Sequence, residues 1–301
     1  MKNKILLLGA VALAGSLFSS CLNNDDKTEQ TFTYPYSNCF NVVTNEADGS
    51  VFIGRTPSYE FVYHIGMTID GYVDITMTNL QLASNLSPIS FQLPSMPFAN
   101  PSQFALETSS SMFSPSSQGG ATYLFDYLNI KNIVGPNVTV YNIDYKLTNV
   151  YTQNSYTVKV YGKDYTYRGD ITFTSDEGVV SVSEASYSSG LGVTLNSETM
   201  TAALFGQGLV IKDGKSESFG VGGLPLTLTD DGYTVASEPG QKIQLMNSAL
   251  TNPKNDWYIS DIKVDATLEK GASISFTIYN GDSEIYTASA PGLTYFIAVQ
   301  Q

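Results

Sequence analysis

The sequence predicts an all-β fold: two tandem, related, antiparallel β domains, each a sandwich or a small barrel. Three observations carry that expectation. The chain holds 20 Tyr and 15 Phe among abundant Val, Thr and Ser, the residue types that suit a pleated, half-buried surface. Apolar and polar residues alternate with period two through stretches such as "YEFVYHIGMTI" and "VTVYNIDYKLTNVY". Turn dipeptides break the alternation at Asp48-Gly49, Asp70-Gly71, Asp213-Gly214, Asp231-Gly232 and Asn280-Gly281, where both residues reach positive φ at little cost. No stretch carries a sustained, capped helical period.

In chain order, the first element is a leader. "MKNK" supplies two lysines, and an apolar run follows over residues 5–18. A membrane span needs about 20 apolar residues, so this run has the proportions of a secretory signal. It ends in "LFSSC", small residues before Cys21. That ending resembles the lipobox of bacterial lipoproteins, with Phe18 where Leu, Val or Ile is usual. The resemblance implies removal of residues 1–20, acylation of Cys21, and attachment to a membrane through the added chains. The next stretch, "LNNDDKTEQ" with Asp25 and Asp26, resembles the acidic surface-export signal of Bacteroidota lipoproteins, which implies an outer-membrane, surface-exposed location. Residues 21–33 are expected to form a flexible tether reaching at most about 40 Å.

The β domains are expected at 34–174 and 175–301, with the second a possible duplication of the first. "DGSVFIGRTPSY" from Asp48 aligns without a gap on "DEGVVSVSEASY" from Asp176. At the same offset "FQLPSMPF" from Phe91 falls on "FGVGGLPL" from Phe219. Further on, "YNIDYKL" from Tyr141 matches "YISDIKV" from Tyr258 at a shorter offset, which makes Asp144 and Asp261 equivalent. The low-complexity stretch "ETSSSMFSPSSQGGA" lies where the extra residues of the first domain would fall. Within the first domain, "TNLQLASNLSPISFQLPSMPF" resembles calycin-like, lipocalin-type domains, and that resemblance implies a barrel with an interior ligand cavity.

Composition narrows the function classes. A formal net charge of −13 argues against nucleic acid as a partner. With Cys21 acylated, Cys39 has no intramolecular partner and is expected to be buried and inert in "YSNCFNVV". His64 is the only histidine, so a Ser-His-Asp arrangement would have to run through it, and a histidine-rich metal site cannot be built. No metal and no cofactor are expected. Strand carboxylates at Asp74, Asp144, Asp170 and Asp261 leave glycoside hydrolysis conceivable, but no paired acid and base can be picked out, so no enzyme is expected. "LTDDGY" and "YNGDSE" lack the oxygen-ligand spacing of a calcium loop and read as turns.

The candidate ligand-binding residues are Trp257 and Tyr258, an aromatic pair suited to stacking on a sugar, with Asp144 and Asp261, each two residues before a lysine (Lys146, Lys263) and so on its lysine's face of the strand. The expected function is a non-catalytic, lipid-anchored surface module that binds an extracellular glycan or a surface protein. Two alternatives stand beside it. One is a lipocalin-like carrier of a small apolar ligand. The other is a fimbrial subunit or anchoring protein, for which Arg55 in "VFIGRTPS" is a candidate processing site.

Overall fold

The computed structural model describes residues 30–54, 57–65, 71–97, 106–109, 122–132, 141–186, 188–282 and 284–295. The leader, Cys21, most of the tether, Arg55, Asp70 and most of the low-complexity stretch lie outside the described residues. The described residues are all-β and antiparallel.

The first unit runs through β1 (Gln30–Tyr36), β2 (Cys39–Asn45), β3 (Val51–Gly54), β4 (Ser58–Ile65), β5 (Gly71–Leu80), β6 (Ile89–Pro97), β7 (Leu106–Ser109), β8 (Tyr123–Asn132), β9 (Tyr141–Asn149) and β10 (Ser155–Gly162). They form a four-stranded sheet, β1-β4-β5-β6, and a six-stranded sheet, β3-β2-β10-β9-β8-β7. The period-two pattern decides what each face buries. Tyr59, Phe61 and Tyr63 of β4 and Val73, Ile75 and Met77 of β5 meet Ile143, Tyr145 and Leu147 of β9 in one core. A buried polar contact sits inside it. The Tyr59 hydroxyl donates to Asn41 Oδ1 at 2.9 Å and lies 3.2 Å from the Tyr145 hydroxyl. Tyr59→Phe leaves the Asn41 oxygen without its buried donor, so a loss of about 1–3 kcal/mol is expected in urea unfolding.

The second unit comprises β11 (Asp164–Arg168), β12 (Ile171–Ser175), β13 (Gly178–Ser183), β14 (Gly190–Asn196), β15 (Thr201–Lys212), β16 (Lys215–Leu228), β17 (Gly232–Ala236), β18 (Ile243–Met246), β19 (Pro253–Thr267), β20 (Gly271–Asn280) and β21 (Glu284–Tyr295). They form one 11-stranded sheet, and pairing of β11 with β21 closes the path β11-β14-β15-β16-β17-β19-β20-β21 on itself. The β12–β13 hairpin hangs from β21. Because β11 and β12 pair with β14 and β21, the division between units falls near Lys163 and not after Thr174. Phe173, Leu204, Phe219, Tyr233, Ile259 and Phe276 fill the interior.

The junction is itself packed. Phe40, in β2, belongs to the second core and stacks on Tyr161 of β10 with ring centroids 5.6 Å apart. The Tyr161 hydroxyl donates to the Thr229 carbonyl at 2.7 Å.

The two units repeat one another in strand order and register. The ladder Tyr59–Met77–Phe91 corresponds to Leu191–Gly206–Phe219, and Phe61–Ile75–Leu93 to Val193–Leu204–Val221. In both, the last strand then bulges, at Pro94-Ser95 and at Gly222-Gly223, before Met96 and Leu224 regain register. The match from Phe91 lies on corresponding strands, and the match from Asp48 lies on the corresponding β2–β3 and β12–β13 hairpins but not at its end, where Tyr59 corresponds to Leu191. The third match does not lie on corresponding strands. The side chains Ile143, Tyr145 and Leu147 of β9 correspond to Ile274, Phe276 and Ile278 of β20, so the Tyr141–Tyr258 alignment is displaced by one strand, and Asp144 and Asp261 are not equivalent. The bulge at Asp126-Tyr127 of β8 is the counterpart of the one at Ser260-Asp261 of β19.

Burial pushes the Tyr59, Tyr145, Tyr165, Tyr167 and Tyr233 hydroxyls up from the ordinary tyrosine range, and desolvation pushes the Cys39 thiol up to about 12. Each group binds its proton more tightly when folded, so the stability it contributes is complete below the unfolded value and is lost as pH rises towards the folded one. Alkaline unfolding is expected to begin above about pH 9–10. Tyrosinate absorbance should rise together with the loss of sheet signal; tyrosinates forming well before unfolding would contradict the burial.

Candidate functional site

The predicted aromatic pair does not form one platform. Trp257 and Tyr258 are adjacent in β19 and so point to opposite faces. Trp257 is half-buried against the second core, and Lys254 Nζ lies 5.1 Å from its ring centroid. That lysine is fixed by Glu217 Oε2 at 2.6 Å and the Ser218 carbonyl at 3.1 Å, so one face of the indole is already covered.

Asp144 lies on the outer face of the six-stranded sheet, where it accepts from Asn129 Nδ2 at 3.0 Å. Lys146 shares that face, as their spacing of two requires, but pairs with Glu46 at 2.6 Å, and Thr157 Oγ1 donates to the same carboxylate at 2.8 Å. Beside them Thr148 Oγ1 donates to Asp126 at 2.6 Å. The result is a polar sheet face tied together by its own hydrogen bonds.

Asp261 sits at the β19 bulge with φ 51°. Ser260 Oγ donates to it at 2.6 Å and the Gly240 amide at 2.9 Å. These bonds, the serine's first, hold its carboxyl below the usual carboxylate range. It lines a notch of about 270 Å³ with Lys263, Ser237, Pro239 and Phe276.

His64 is engaged by a carboxylate. Its Nε2 lies 3.0 Å from Asp74 Oδ2, its ring stacks on Tyr72 at 4.3 Å, and Ser95 Oγ donates to the other Asp74 oxygen at 2.5 Å. The carboxylate is thus in the middle. A nucleophilic serine needs the imidazole there, within reach of its hydroxyl. Asp170 accepts from the Ala185 amide at 3.0 Å, a contact that closes the open end of the β12–β13 hairpin. Glu284 of "YNGDSE" is paired with Lys212 at 2.6 Å. Among the described residues, no group of three or more His, Cys, Asp or Glu side chains is gathered to hold a metal ion.

Cys39 is fully buried, its sulfur 3.7 Å from the Pro57 carbonyl oxygen. In native protein it is expected to resist iodoacetamide at pH 8 and to react once the chain is unfolded. Peptide mapping reads this directly, and rapid native labelling at Cys39 would contradict its environment.

Sequence reasoning missed one further feature, a trough of about 240 Å³ across β11, β14 and β15. Its floor is Gly190 and Gly192; Asp164, Thr166 and Arg168 stand on one side, Phe205 and Gln207 on the other. The signal was present in "GLGVTLN", where glycine takes the outward positions of an otherwise regular alternation.

No protein-family model matches the chain, and no curated protein matches its sequence.

Proposed function

We propose that the chain is a non-catalytic binding module, anchored by lipid at Cys21 and displayed on the outer face of an outer membrane, with an extracellular glycan as its partner. The observation that carries the reading is the contrast between interior and surface. Both cores are filled by large side chains, Phe61, Phe125 and Tyr145 in the first and Phe173, Phe219 and Tyr233 in the second. The two recesses described above open on outer sheet faces, where Asp164, Arg168, Asp261 and Lys263 stand beside a larger apolar area that includes Phe205 and Phe276. Shallow surfaces of mixed lining suit an amphipathic ring such as a sugar, which offers a C–H face and a rim of hydroxyls, better than a wholly apolar ligand that needs enclosure. The "LFSSC" ending supports the anchor.

The test combines intact mass and N-terminal analysis of protein from its native membrane with a screen of the full chain against a glycan array. The expected result is a chain that starts at acylated Cys21, carries no retained lipid ligand, and binds a defined subset of glycans. A retained apolar ligand would move the reading to a carrier.

A second reading, assembly with other chains, has its own observation. The edge strand β13, "GVVSVS", leaves Val179 68% and Val182 46% exposed and carries no charge or proline to blunt its edge. A mature chain starting at Thr56 and forming ladders in mild detergent would establish that reading in place of the first.

A further inference from the structure

We propose that the trough across β11, β14 and β15 is a carbohydrate subsite that takes one neutral hexopyranose ring. This rests on the binding-module reading and names where and how the glycan is held.

The site follows from register. Thr166 is paired with Gly192, and Gly192 with Phe205; on the next outward row Asp164 is paired with Thr194, and Thr194 with Ala203. Alternation sends Leu191, Val193 and Leu195 of β14 into the core and Gly190, Gly192 and Thr194 outward. Where the outward residue is glycine, the floor drops to bare backbone between taller walls.

The walls differ in chemistry. On one side the half-buried Phe205 ring is an apolar surface of the kind that accepts the C–H face of a pyranose, with the Gln207 amide beside it. On the other side are hydrogen-bond donors and acceptors, Arg168 and Asp164. Asp164 is held in place by Thr194 Oγ1 at 2.6 Å and Asn38 Nδ2 at 2.7 Å, and a carboxylate has about four acceptor sites, so it keeps capacity for a ligand hydroxyl. Arg168 donates to the Ser186 carbonyl, which orients a guanidinium with about five donors in all. A carboxylate and a guanidinium on one wall favour an uncharged ligand. The volume, about 240 Å³, is below the roughly 300–1,000 Å³ of pockets that enclose a drug-sized molecule, which suits a single sugar ring lying across the strands.

One floor position makes the trough testable without breaking the sheet. A Cβ at Gly192 would stand 3.7 Å from Phe205, an ordinary contact, so a side chain there fills the floor and leaves the packing in place. At Gly190 a Cβ would lie 2.7 Å from the Tyr167 carbonyl oxygen, so that position is avoided. The experiment measures binding of maltose, cellobiose, lactose and mannobiose to the full chain by calorimetry, for wild type, Gly192→Val, Phe205→Ala and, exposed on β4 of the other unit, Glu60→Ala. Hydrogen exchange on wild type with and without the bound sugar adds a readout that needs no variant. The expected result is at least tenfold weaker binding in both trough variants, unchanged binding in Glu60→Ala, and sugar-dependent protection confined to residues 164–168, 188–194 and 203–207. Trough variants that bind like wild type, or protection elsewhere, overturn the subsite and leave the glycan-binding reading intact. Wild type that binds none of the four sugars while still recognising other glycans on the array has the same effect. Wild type that binds no glycan in either assay overturns both.

Discussion

Phe40→Ala is expected to cost about 3–5 kcal/mol and to draw that loss from the second unit, although Phe40 is in a strand of the first. The ring is fully buried, and its neighbours belong to the core that includes Tyr165, Tyr167 and Phe173. Removing it deletes the stack on Tyr161 and opens a void where β10 hands the chain to β11. Trp257, the sole tryptophan, reports the second unit by fluorescence, and amide exchange in β4 and β5 reports the first. The tryptophan transition should move to markedly lower urea while exchange in β4 and β5 changes little. Equal shifts in both probes would show that the two cores unfold as one.

Gly271→Ala should be comparably damaging, for two separate reasons. Gly271 has φ 113°, a conformation that costs an L-residue about 1–3 kcal/mol. An added Cβ would also overlap the Leu293 carbonyl oxygen, which is backbone and cannot rotate away. Overpacking of this kind costs about 1–3 kcal/mol more. The position opens β20, whose Ala272 pairs with Leu293 of β21, so the strain falls on the β20–β21 ladder next to the β11–β21 pairing that closes the ring. A clear drop in thermal midpoint with loss of cooperativity is expected. A variant as stable as wild type would mean that the turn relaxes freely.

How much of this was legible in the sequence depends on the length scale over which a signal is carried. Alternation and turn chemistry are local, so the strands and hairpins around Asp48-Gly49 and Asp213-Gly214 could be read directly. The match of Phe91 with Phe219 could be read too, because both rings face their cores just before a bulge that each unit repeats. The Tyr141–Tyr258 match went astray for a physical reason. Adjacent strands of a meander share a period of two, so a slip by one whole strand preserves every inward and outward position, and only pairing partners expose it. The division near Lys163 was hidden similarly, since nothing local in "DYTYRGDITFT" says which sheet will accept it. Of the candidate site residues, Trp257, Tyr258, Asp144 and Asp261 were placed on strands as expected, but they are not gathered. The trough is assembled from three strands, two of them joined only by pairing across a long loop of chain, and no single stretch announces it.

The pairing of Tyr167 and Arg168 with Tyr295 and Thr294 has a kinetic consequence. It joins the opening strand of the second unit to the last described one, so the ring cannot close until nearly the whole unit is available. Contacts this distant in sequence must meet the entropy of closing a long loop before they contribute anything, and such topologies fold in about milliseconds to seconds. Until then β11 and β21 present open edges, the condition under which a chain pairs with the wrong neighbour. Among the described residues the first unit shows no such closing pair, its strands forming two sheets. Refolding should therefore show a fast phase from the first unit and a slower one, sensitive to protein concentration, in which the second unit seals.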